Sequence, residues 1–498
     1  MHPSDQPQLA REAAMGGLWT SLQSVLNKVV AAVALLVVAL FLSPEEFGDA
    51  NRALAALAFL SVFTPLAMGD VLVAHQRILP TLARAGDRIG LLAGVSMATF
   101  VVVATPLLAH ALPDDGRRLF LPLMLVIAVR PLLEAVVVAP QALLRSDLRY
   151  RTIAMIDGIA QLLASLATVA MAMLGAGAFS LVVPQVLALG ARGLAYRRCA
   201  QPTPRPASMR RATRLLLAPF VFGSLAQYVH NVLVTLEVLA LSVCSGSVEV
   251  GLFAFAFTLA SQANVVIAFQ LGAVLQPIFG RIGSDPLRQA HALLRTIRVL
   301  GAVIVPLSAV QAAVAPTLFG AVLPERWEPA MPAFIGLCAL QAVYFGNAPL
   351  MSYLKARRRF RGFLAWQCTQ LLVSAGVFAW IARTHGAAGV ALASACVWGV
   401  AVPLVTCIAL RGTGVWPPAV LSAFFRPWLA AIPSGIAVSA LGWSLVPAPA
   451  WIQVVFVGLA AAAALACALV ATRWTDPLAW SDVRIPLIKV RARVGSRG

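Results

Sequence analysis

The sequence predicts an all-α integral membrane protein with fourteen transmembrane helices, arranged as two parallel six-helix lobes followed by two further helices. Three observations support this fold class. Of the 498 residues, 60% are hydrophobic and 11% are charged, with a mean hydropathy of +0.86, which is more apolar surface than a soluble fold can bury. Apolar windows long enough to cross a bilayer recur along the chain. A basic connector followed by an apolar span and a glycine turn occurs twice, about 210 residues apart.

The predicted spans are short enough to be single crossings and follow one another with few long connectors. In chain order they lie near residues 16–42, 48–74, 89–110, 119–141, 152–174, 177–197, 213–243, 250–280, 292–316, 329–354, 362–382, 387–410, 423–446 and 450–472. Prolines inside several spans, Pro65 and Pro131 among them, predict kinks, because each removes a backbone hydrogen bond from the helix.

Charge in the connectors predicts the orientation. Alternate connectors and the span ends next to them hold 31 of the 38 Lys and Arg residues, against four on the opposite side and three deeper inside spans. Lys and Arg accumulate on the cytoplasmic side of bacterial membrane proteins, so both termini are predicted to be cytoplasmic and the protein to lie in the inner membrane. This bias also accounts for the net charge of +19, so no nucleic-acid partner is expected.

The duplicated connector predicts a domain organisation. Residues 1–15 form an N-terminal tail, 16–198 a first lobe of six helices, 199–212 a Pro-containing linker and 213–411 a second lobe. Residues 412–472 hold helices 13 and 14, and 473–498 form a basic tail. Because an even number of helices separates the repeats, the two lobes run in the same direction, and transporters of this kind bind substrate between their halves.

Extramembrane turns are too short to carry a soluble catalytic module, so the protein is not expected to be an enzyme. Five of the seven cysteines fall inside apolar spans, and no Cys or Cys/His motif with ligand spacing is present. We therefore expect no disulfide, no metal and no cofactor.

Several short motifs in a fixed order resemble those of a known family. They are S-P-E-E-F-G after helix 1, A-L-L-R-S-D-L-R-Y-R before helix 5, Ile156-Asp157 at the start of that helix, and G-A-G-A-F-S-L leading into helix 6. Together they resemble bacterial polysaccharide transporters, the Wzx-like and succinoglycan-exporter-like flippases of the multidrug/oligosaccharidyl-lipid/polysaccharide exporter superfamily. The resemblance covers roughly residues 15 to 475 and implies the flippase fold shared with multidrug exporters of that superfamily.

The function implied by this resemblance is transfer of an undecaprenyl-diphosphate-linked oligosaccharide repeat unit across the inner membrane, for exopolysaccharide, capsule or O-antigen biosynthesis, by alternating access. Expected partners are the lipid-linked oligosaccharide, membrane lipids, and the polysaccharide polymerase and export machinery, with the protein itself a monomer. Such a substrate requires a wet, partly cationic and laterally open site.

Cations inside the first-lobe spans are candidates for binding the diphosphate. Lys28, with Asn27 beside it on a polar stripe of helix 1, is predicted to face a cavity. Arg130 can pair with Glu134 one turn away, which permits either an internal ion pair or a phosphate-binding role. Arg52 lies about one turn inside helix 2 and could reach the lipid headgroups.

Helix 7 carries amides and a histidine that suit sugar hydroxyls. Gln227, His230 and Asn231 are predicted to face the cavity opposite helix 1. Glu237, Asp70 and Asp157 are candidates for ion or proton coupling, because a carboxyl group in a membrane cavity can exchange protons. Asp157 could instead stabilise the first turn of helix 5.

Three alternatives remain open on this evidence. A multidrug exporter of the same superfamily would be expected to have twelve helices and an acidic cavity. A peptidoglycan-precursor (lipid II) flippase shares fourteen helices and buried cations. A membrane glycan polymerase is disfavoured, because it would need a larger extramembrane loop with acid and base groups.

Overall fold

A computed structural model of the chain describes residues 23, 26–75, 78–111, 117–147, 149–200, 208–261, 285–357, 360–445 and 448–475, and these residues are helical with short connections and no β-strand. The chain divides into two compact units, Met1–Ala254 and Phe255–Gly498. The prediction of an all-α membrane fold is confirmed.

The first unit contains nine helices among its described residues, together with the start of a tenth. They are α1 (Leu26–Ala39), α2 (Pro44–Leu60), α3 (Leu66–Ala74), α4 (Leu79–Ala111), α5 (Arg117–Ile127), α6 (Arg130–Ser146), α7 (Tyr150–Met173), α8 (Phe179–Cys199), α9 (Met209–Cys244) and the beginning of α10 (Ser247–Ser261). Helix α9 packs against α2, α3 and α4, which places it in the first unit. The sequence assigns the same helix to the second predicted lobe, and the lobe organisation remains a prediction.

The second unit contains the remainder of α10 and six further α-helices. They are α11 (Pro286–Thr317), α12 (Met331–Tyr344), α13 (Asn347–Ala356), α14 (Phe360–Ala409), α15 (Pro417–Ser444) and α16 (Ala450–Thr475), with a π-helix over Leu318–Val322 and a 3₁₀-helix over Glu325–Ala330 between α11 and α12. Helix α11 packs against α12, α15 and α16, and α12 packs against α14. Trp327 in the 3₁₀-helix is fully buried, with its ring centroid 4.1 Å from that of Phe255.

Ten helical segments among the described residues are long and apolar enough to cross a membrane by length and composition. They contain eleven of the fourteen predicted spans, because Trp366–Ala409 holds two of them. These two are separated by Gly386 alone, which adopts φ 56° and ψ −148°. The described part of the first predicted span contains α1, and that of the eighth contains α10.

Two predicted spans are broken in their apolar interiors. The predicted helix 48–74 is interrupted between α2 and α3, so it is not one continuous helix. Ser61 caps the end of α2 by donating its hydroxyl to the Leu57 carbonyl at 2.7 Å, and Pro65 lacks the N–H that would continue the helix. A second break at Ala128 and Val129 separates α5 from α6, directly before Arg130 and Pro131. Breaks of this kind expose backbone polar groups and are found where a membrane protein lines a cavity.

The start of α2 is fixed by a capping box. The Ser43 hydroxyl accepts from the Glu46 N–H at 3.2 Å, and the Glu46 carboxylate accepts from the Ser43 N–H at 2.9 Å. A Cβ on Gly177, in the turn between α7 and α8, would lie 2.8 Å from Glu46 Oε1, so this turn packs closely against the same cap. The S-P-E-E-F-G and G-A-G-A-F-S-L motifs therefore meet at one end of the first unit.

Candidate functional site

A cavity of about 240 Å³ opens between α3 and α9 in the first unit. Its lining combines small or apolar residues with an acid, a histidine and an amide: Ala67, Asp70, Val71, His75, Pro219, Gly223 and Gln227. The structure thus places Asp70, a predicted coupling residue, and Gln227, a predicted substrate-binding residue, in one cavity. We call it the α3–α9 pocket.

Small side chains keep the pocket open. A Cβ on Gly223 would lie 3.7 Å from the Ala67 Cβ, so α9 and α3 approach closely at this level without a bulky residue between them. Pro219, one turn earlier in α9, also lines the pocket and provides no N–H to its helix. Two of the three α9 residues in the lining, Pro219 and Gly223, therefore have no long side chain.

The polar groups of the pocket are held in place locally. Gln227 donates from Nε2 to the Asn231 side-chain oxygen at 2.9 Å, which orients two of the predicted binding residues together. The Nδ1 atom of His75 lies 2.9 Å from the Val71 carbonyl oxygen, so its Nε2 side is directed away from the helix backbone. His75 is not among the site residues predicted from the sequence, and its only signal there is its position five residues after Asp70, at the end of an apolar helix.

Replacement of Gly223 by Leu should reduce the transport activity that the sequence predicts by at least about tenfold, because the side chain would occupy much of the α3–α9 pocket. The measurement is how well each variant restores transport in a strain from which the gene is deleted, with the variant present at wild-type membrane levels. Gly223→Ala is the matched control, since its methyl group has van der Waals space, and it should retain activity. Equal activity of both variants would show that the pocket is not used.

Arg130 lies at the break between α5 and α6, beside a buried carboxylate. Its Nε is 3.0 Å from Glu134 Oε1, and the Thr64 hydroxyl is 3.5 Å from Glu134 Oε2. The Arg130 side chain is 44% exposed, whereas that of Glu134 is 11% exposed. Thr64 belongs to the break between α2 and α3, so one carboxylate connects the two interrupted helices. The terminal nitrogens of Arg130 donate to no other described residue and can reach an anionic ligand.

Arg52 is buried rather than directed to the lipid headgroups. Its side chain is among the largest that are fully buried, at 2% exposure. Nη1 donates to the Ser247 hydroxyl at 2.6 Å, Nη2 donates to the Ser245 carbonyl at 3.1 Å, and Ser247 donates in turn to Asp49 Oδ1 at 2.7 Å. The expectation that Arg52 reaches the headgroups is therefore wrong, because the connection between α9 and α10 supplies its partners inside the protein.

Next to Arg52, α2 and α10 cross at two glycines. A Cβ on Gly48 would overlap the Ser247 carbonyl, and a Cβ on Gly251 would overlap the Pro44 carbonyl. The two segments share an E-x-G pattern, P-E-E-F-G ending at Gly48 and S-V-E-V-G ending at Gly251. Each glycine packs on the residue that lies four positions before the other glycine. We call this contact the glycine crossing.

Asp157 has a basic neighbour on α8. Its Oδ1 is 3.8 Å from Arg192 Nε, and Arg192 Nη2 donates to the Gln161 side chain at 3.1 Å. The alternative that Asp157 stabilises the first turn of helix 5 is wrong, because α7 begins at Tyr150 and the dipole effect is confined to the terminal turn. The proposed coupling role of Asp157 remains a prediction.

The other predicted residues lie at accessible positions. Asn27 and Lys28 are half-buried on α1, His230 is exposed, and Glu237 is half-buried on α9. Lys28 forms no hydrogen bond with another described residue. The predicted arrangement of α1 and α9 on opposite walls of one cavity remains a prediction.

Comparisons of the sequence with protein families and with known proteins both find polysaccharide biosynthesis proteins. A model of the family described as polysaccharide biosynthesis protein matches residues 37–332. The succinoglycan biosynthesis transport protein ExoT of Rhizobium meliloti (strain 1021) is 25% identical over 393 residues, which cover 77% of this chain and 77% of that protein.

Solved structures share the fold at low identity. A lipid II flippase, MurJ in an inward closed conformation, has a TM-score of 0.73 at 11% identity and covers 92% of this chain and 99% of its own. A MOP superfamily transporter from Pyrococcus furiosus has a TM-score of 0.57 at 14% identity, covering 80% of this chain and 96% of its own. A MATE in the bent conformation has a TM-score of 0.54 at 13% identity, covering 83% of this chain and 97% of its own. These likenesses concern the fold. Because the family match extends over more than half of the 498 residues, the protein belongs to the polysaccharide biosynthesis protein family.

Proposed function

We propose that the protein is a transporter that moves an undecaprenyl-diphosphate-linked oligosaccharide across the bacterial inner membrane for exopolysaccharide, capsule or O-antigen biosynthesis. The observation that carries this proposal is the similarity to a succinoglycan biosynthesis transport protein over 77% of both chains, within the same family. We propose that both termini are cytoplasmic and that the substrate is released on the periplasmic side, where polymerase and export machinery receive it.

The extent of structural similarity supports flipping of a lipid-linked substrate rather than drug export. The lipid II flippase covers 92% of the chain, compared with 80% and 83% for the other two transporters. A lipid II substrate is the second candidate. It shares the diphosphate with the proposed substrate and differs in the headgroup.

The surroundings of Arg130 support a role for this residue in binding the diphosphate. Its Nε is engaged by Glu134, which orients the guanidinium. The side chain is 44% exposed, and its two terminal nitrogens offer the parallel donors that suit a phosphate. The α3–α9 pocket offers carboxylate, imidazole and amide groups for hydroxyl recognition. Transfer between leaflets forms and breaks no covalent bond, so binding residues and a conformational change are sufficient.

The breaks in the helices provide places where such a change can occur. The interruptions between α2 and α3 and between α5 and α6 lack continuous helical hydrogen bonding, and half-helices can pivot at such points. We propose that they rearrange when the headgroup binds Arg130, and that the glycine crossing separates when the site opens to the other side of the membrane.

Deletion of the gene should cause the lipid-linked saccharide to accumulate in the cytoplasmic leaflet. Complementation with Arg130→Gln should lower transport roughly 10- to 100-fold, the range for loss of charge-assisted hydrogen bonds. Arg118→Gln is the matched control, because Arg118 is exposed at the start of α5, and it should transport normally. The saccharide-bearing lipid is extracted and measured by mass spectrometry at equal membrane levels of each variant.

Other results would identify other functions. Normal lipid levels with increased sensitivity to cationic drugs would support a multidrug exporter. Accumulation of lipid II would support the peptidoglycan-precursor alternative, and accumulation of single repeat units on the periplasmic side would support a membrane polymerase. Normal activity of Arg130→Gln would remove the diphosphate role of Arg130 while leaving the transporter assignment in place.

A further inference from the structure

Aromatic and amide side chains form a cluster in the second unit, where α12, α13 and α14 meet. The rings of Tyr344 and Trp398 pack edge to face with centroids 5.9 Å apart, and those of Trp398 and Trp366 do so at 6.2 Å. Asn347 donates from Nδ2 to the Tyr344 hydroxyl at 2.7 Å. These four residues are called the aromatic–amide cluster. None of them was singled out by the sequence or has a role in the function proposed above.

Two polar atoms of this cluster are buried without a partner. The Trp366 residue is 7% exposed, and its Nε1–H has no acceptor in the part of the chain that the structure describes. The Asn347 side-chain oxygen likewise accepts no hydrogen bond there. Buried polar groups are nearly always paired, and a buried Trp N–H usually has an acceptor. A donor and an acceptor that are both unsatisfied within one cluster point to a ligand group that supplies the missing partners.

A polar stripe continues from the cluster along α14. Gln370 and Ser374 follow Trp366 at successive intervals of four residues, which places the three on one helix face. They are 5% and 1% exposed, and the Ser374 hydroxyl has no partner among the described residues. Polar groups that a membrane helix directs into the protein rather than the lipid commonly mark a substrate pathway.

We propose that the aromatic–amide cluster is a subsite for one sugar ring of the lipid-linked saccharide, an inference that rests on the proposed function. A sugar hydroxyl both donates and accepts, so one ligand can satisfy the Trp366 N–H and the Asn347 oxygen together. Aromatic rings provide apolar surface for the C–H face of a sugar. The cluster contains no acid, base or cation, so it suits a neutral saccharide rather than the diphosphate.

The test compares two lipids that differ only in the sugar. Undecaprenyl-diphosphate-linked saccharide extracted from the deletion strain, and undecaprenyl diphosphate itself, are titrated against the purified full-length protein in detergent. Trp366→Phe keeps an aromatic ring but removes the N–H, and Asn347→Leu removes the amide independently. Each should weaken binding of the saccharide-bearing lipid about tenfold and leave binding of undecaprenyl diphosphate unchanged. Trp380→Phe is the matched control, because Trp380 is 67% exposed on the same helix, and it should bind both lipids normally.

Thermal unfolding of each variant establishes that it is folded before binding is compared. If Trp366→Phe and Asn347→Leu weaken the binding of both lipids, or of neither, the sugar subsite is overturned. If the wild type binds the two lipids equally while Arg130→Gln weakens both, the subsite is overturned but the transporter assignment stands. If the deletion strain accumulates no saccharide-bearing lipid, the proposed function fails and the subsite fails with it.

Discussion

Replacing Gly48 by Ala is expected to lower the free energy of unfolding by about 2 to 4 kcal/mol, the upper range for overpacking. The added methyl group would overlap the Ser247 carbonyl, and a backbone obstacle cannot move away as a flexible side chain can. Gly to Ala inside a helix ordinarily stabilises it by about 0.5 to 1 kcal/mol, so the expected sign is reversed at this position. Thermal unfolding of the purified protein measures the change.

The control for this prediction is Gly458→Ala in α16, where a Cβ would meet nothing within 4 Å. This variant should be as stable as the wild type or slightly more stable. Gly251→Ala, which places its methyl group against the Pro44 carbonyl, should be as destabilising as Gly48→Ala. An increase in melting temperature for all three variants would contradict the close approach of α2 and α10.

Replacing Arg52 by Leu should destabilise the protein by about 3 to 5 kcal/mol, the cost of removing one partner from a buried charged network. The substitution deletes the hydrogen bonds to Ser247 and Ser245 and leaves the buried carboxylate of Asp49, which is 5% exposed, without the nearby positive charge. Lower membrane levels and a lower melting temperature are expected. Arg118→Leu removes an exposed arginine and should change neither.

A double substitution separates charge from packing. Adding Asp49→Asn to Arg52→Leu removes the remaining buried charge, so the double variant should recover part of the lost stability. If it recovers nothing, the loss comes from packing alone. If Arg52→Leu is fully stable yet fails to transport, Arg52 acts on the substrate, as the sequence suggests.

Hydropathy predicted the helices well because crossing a bilayer requires about 20 apolar residues, whatever the helices pack against. The segments around α7 and α8, for example, begin within two residues of their predicted starts at 152 and 177. Their apolar faces are visible in the sequence itself. The confirmed family resemblance also depended on local motifs, whose order along the chain can be read without a structure.

Contacts between distant segments could not be predicted in the same way. Arg52 finds its partner 195 residues away, and Thr64 approaches Glu134 across 70 residues. The Arg130–Glu134 pair was predictable because its members are one helical turn apart, and the structure places them 3.0 Å from each other. The α3–α9 pocket required knowledge that α9 packs against α3, which no local pattern provides.

Breaks in helices were less predictable than the helices themselves but more predictable than contacts between distant segments. Pro65 and Pro131 predicted kinks, and the structure has interruptions next to both. Other prolines, such as Pro184 and Pro219, remain inside helices. Proline alone therefore identifies candidates without deciding among them.

The two glycine turns of the predicted repeat differ in how many residues separate the helices that they join. Between α7 and α8 the chain reverses through a short turn with positive φ at both Gly175 and Gly177, which leaves several residues to absorb a displacement. In α14 the corresponding change of direction occurs at Gly386 alone, between two otherwise continuous helical rods. A single-residue joint keeps the two helix ends at an almost fixed separation, and the φ and ψ angles of Gly386 alone set the angle between the two rods. The half of α14 that carries Trp366 and the half that carries Trp398 are thus mechanically linked at this residue.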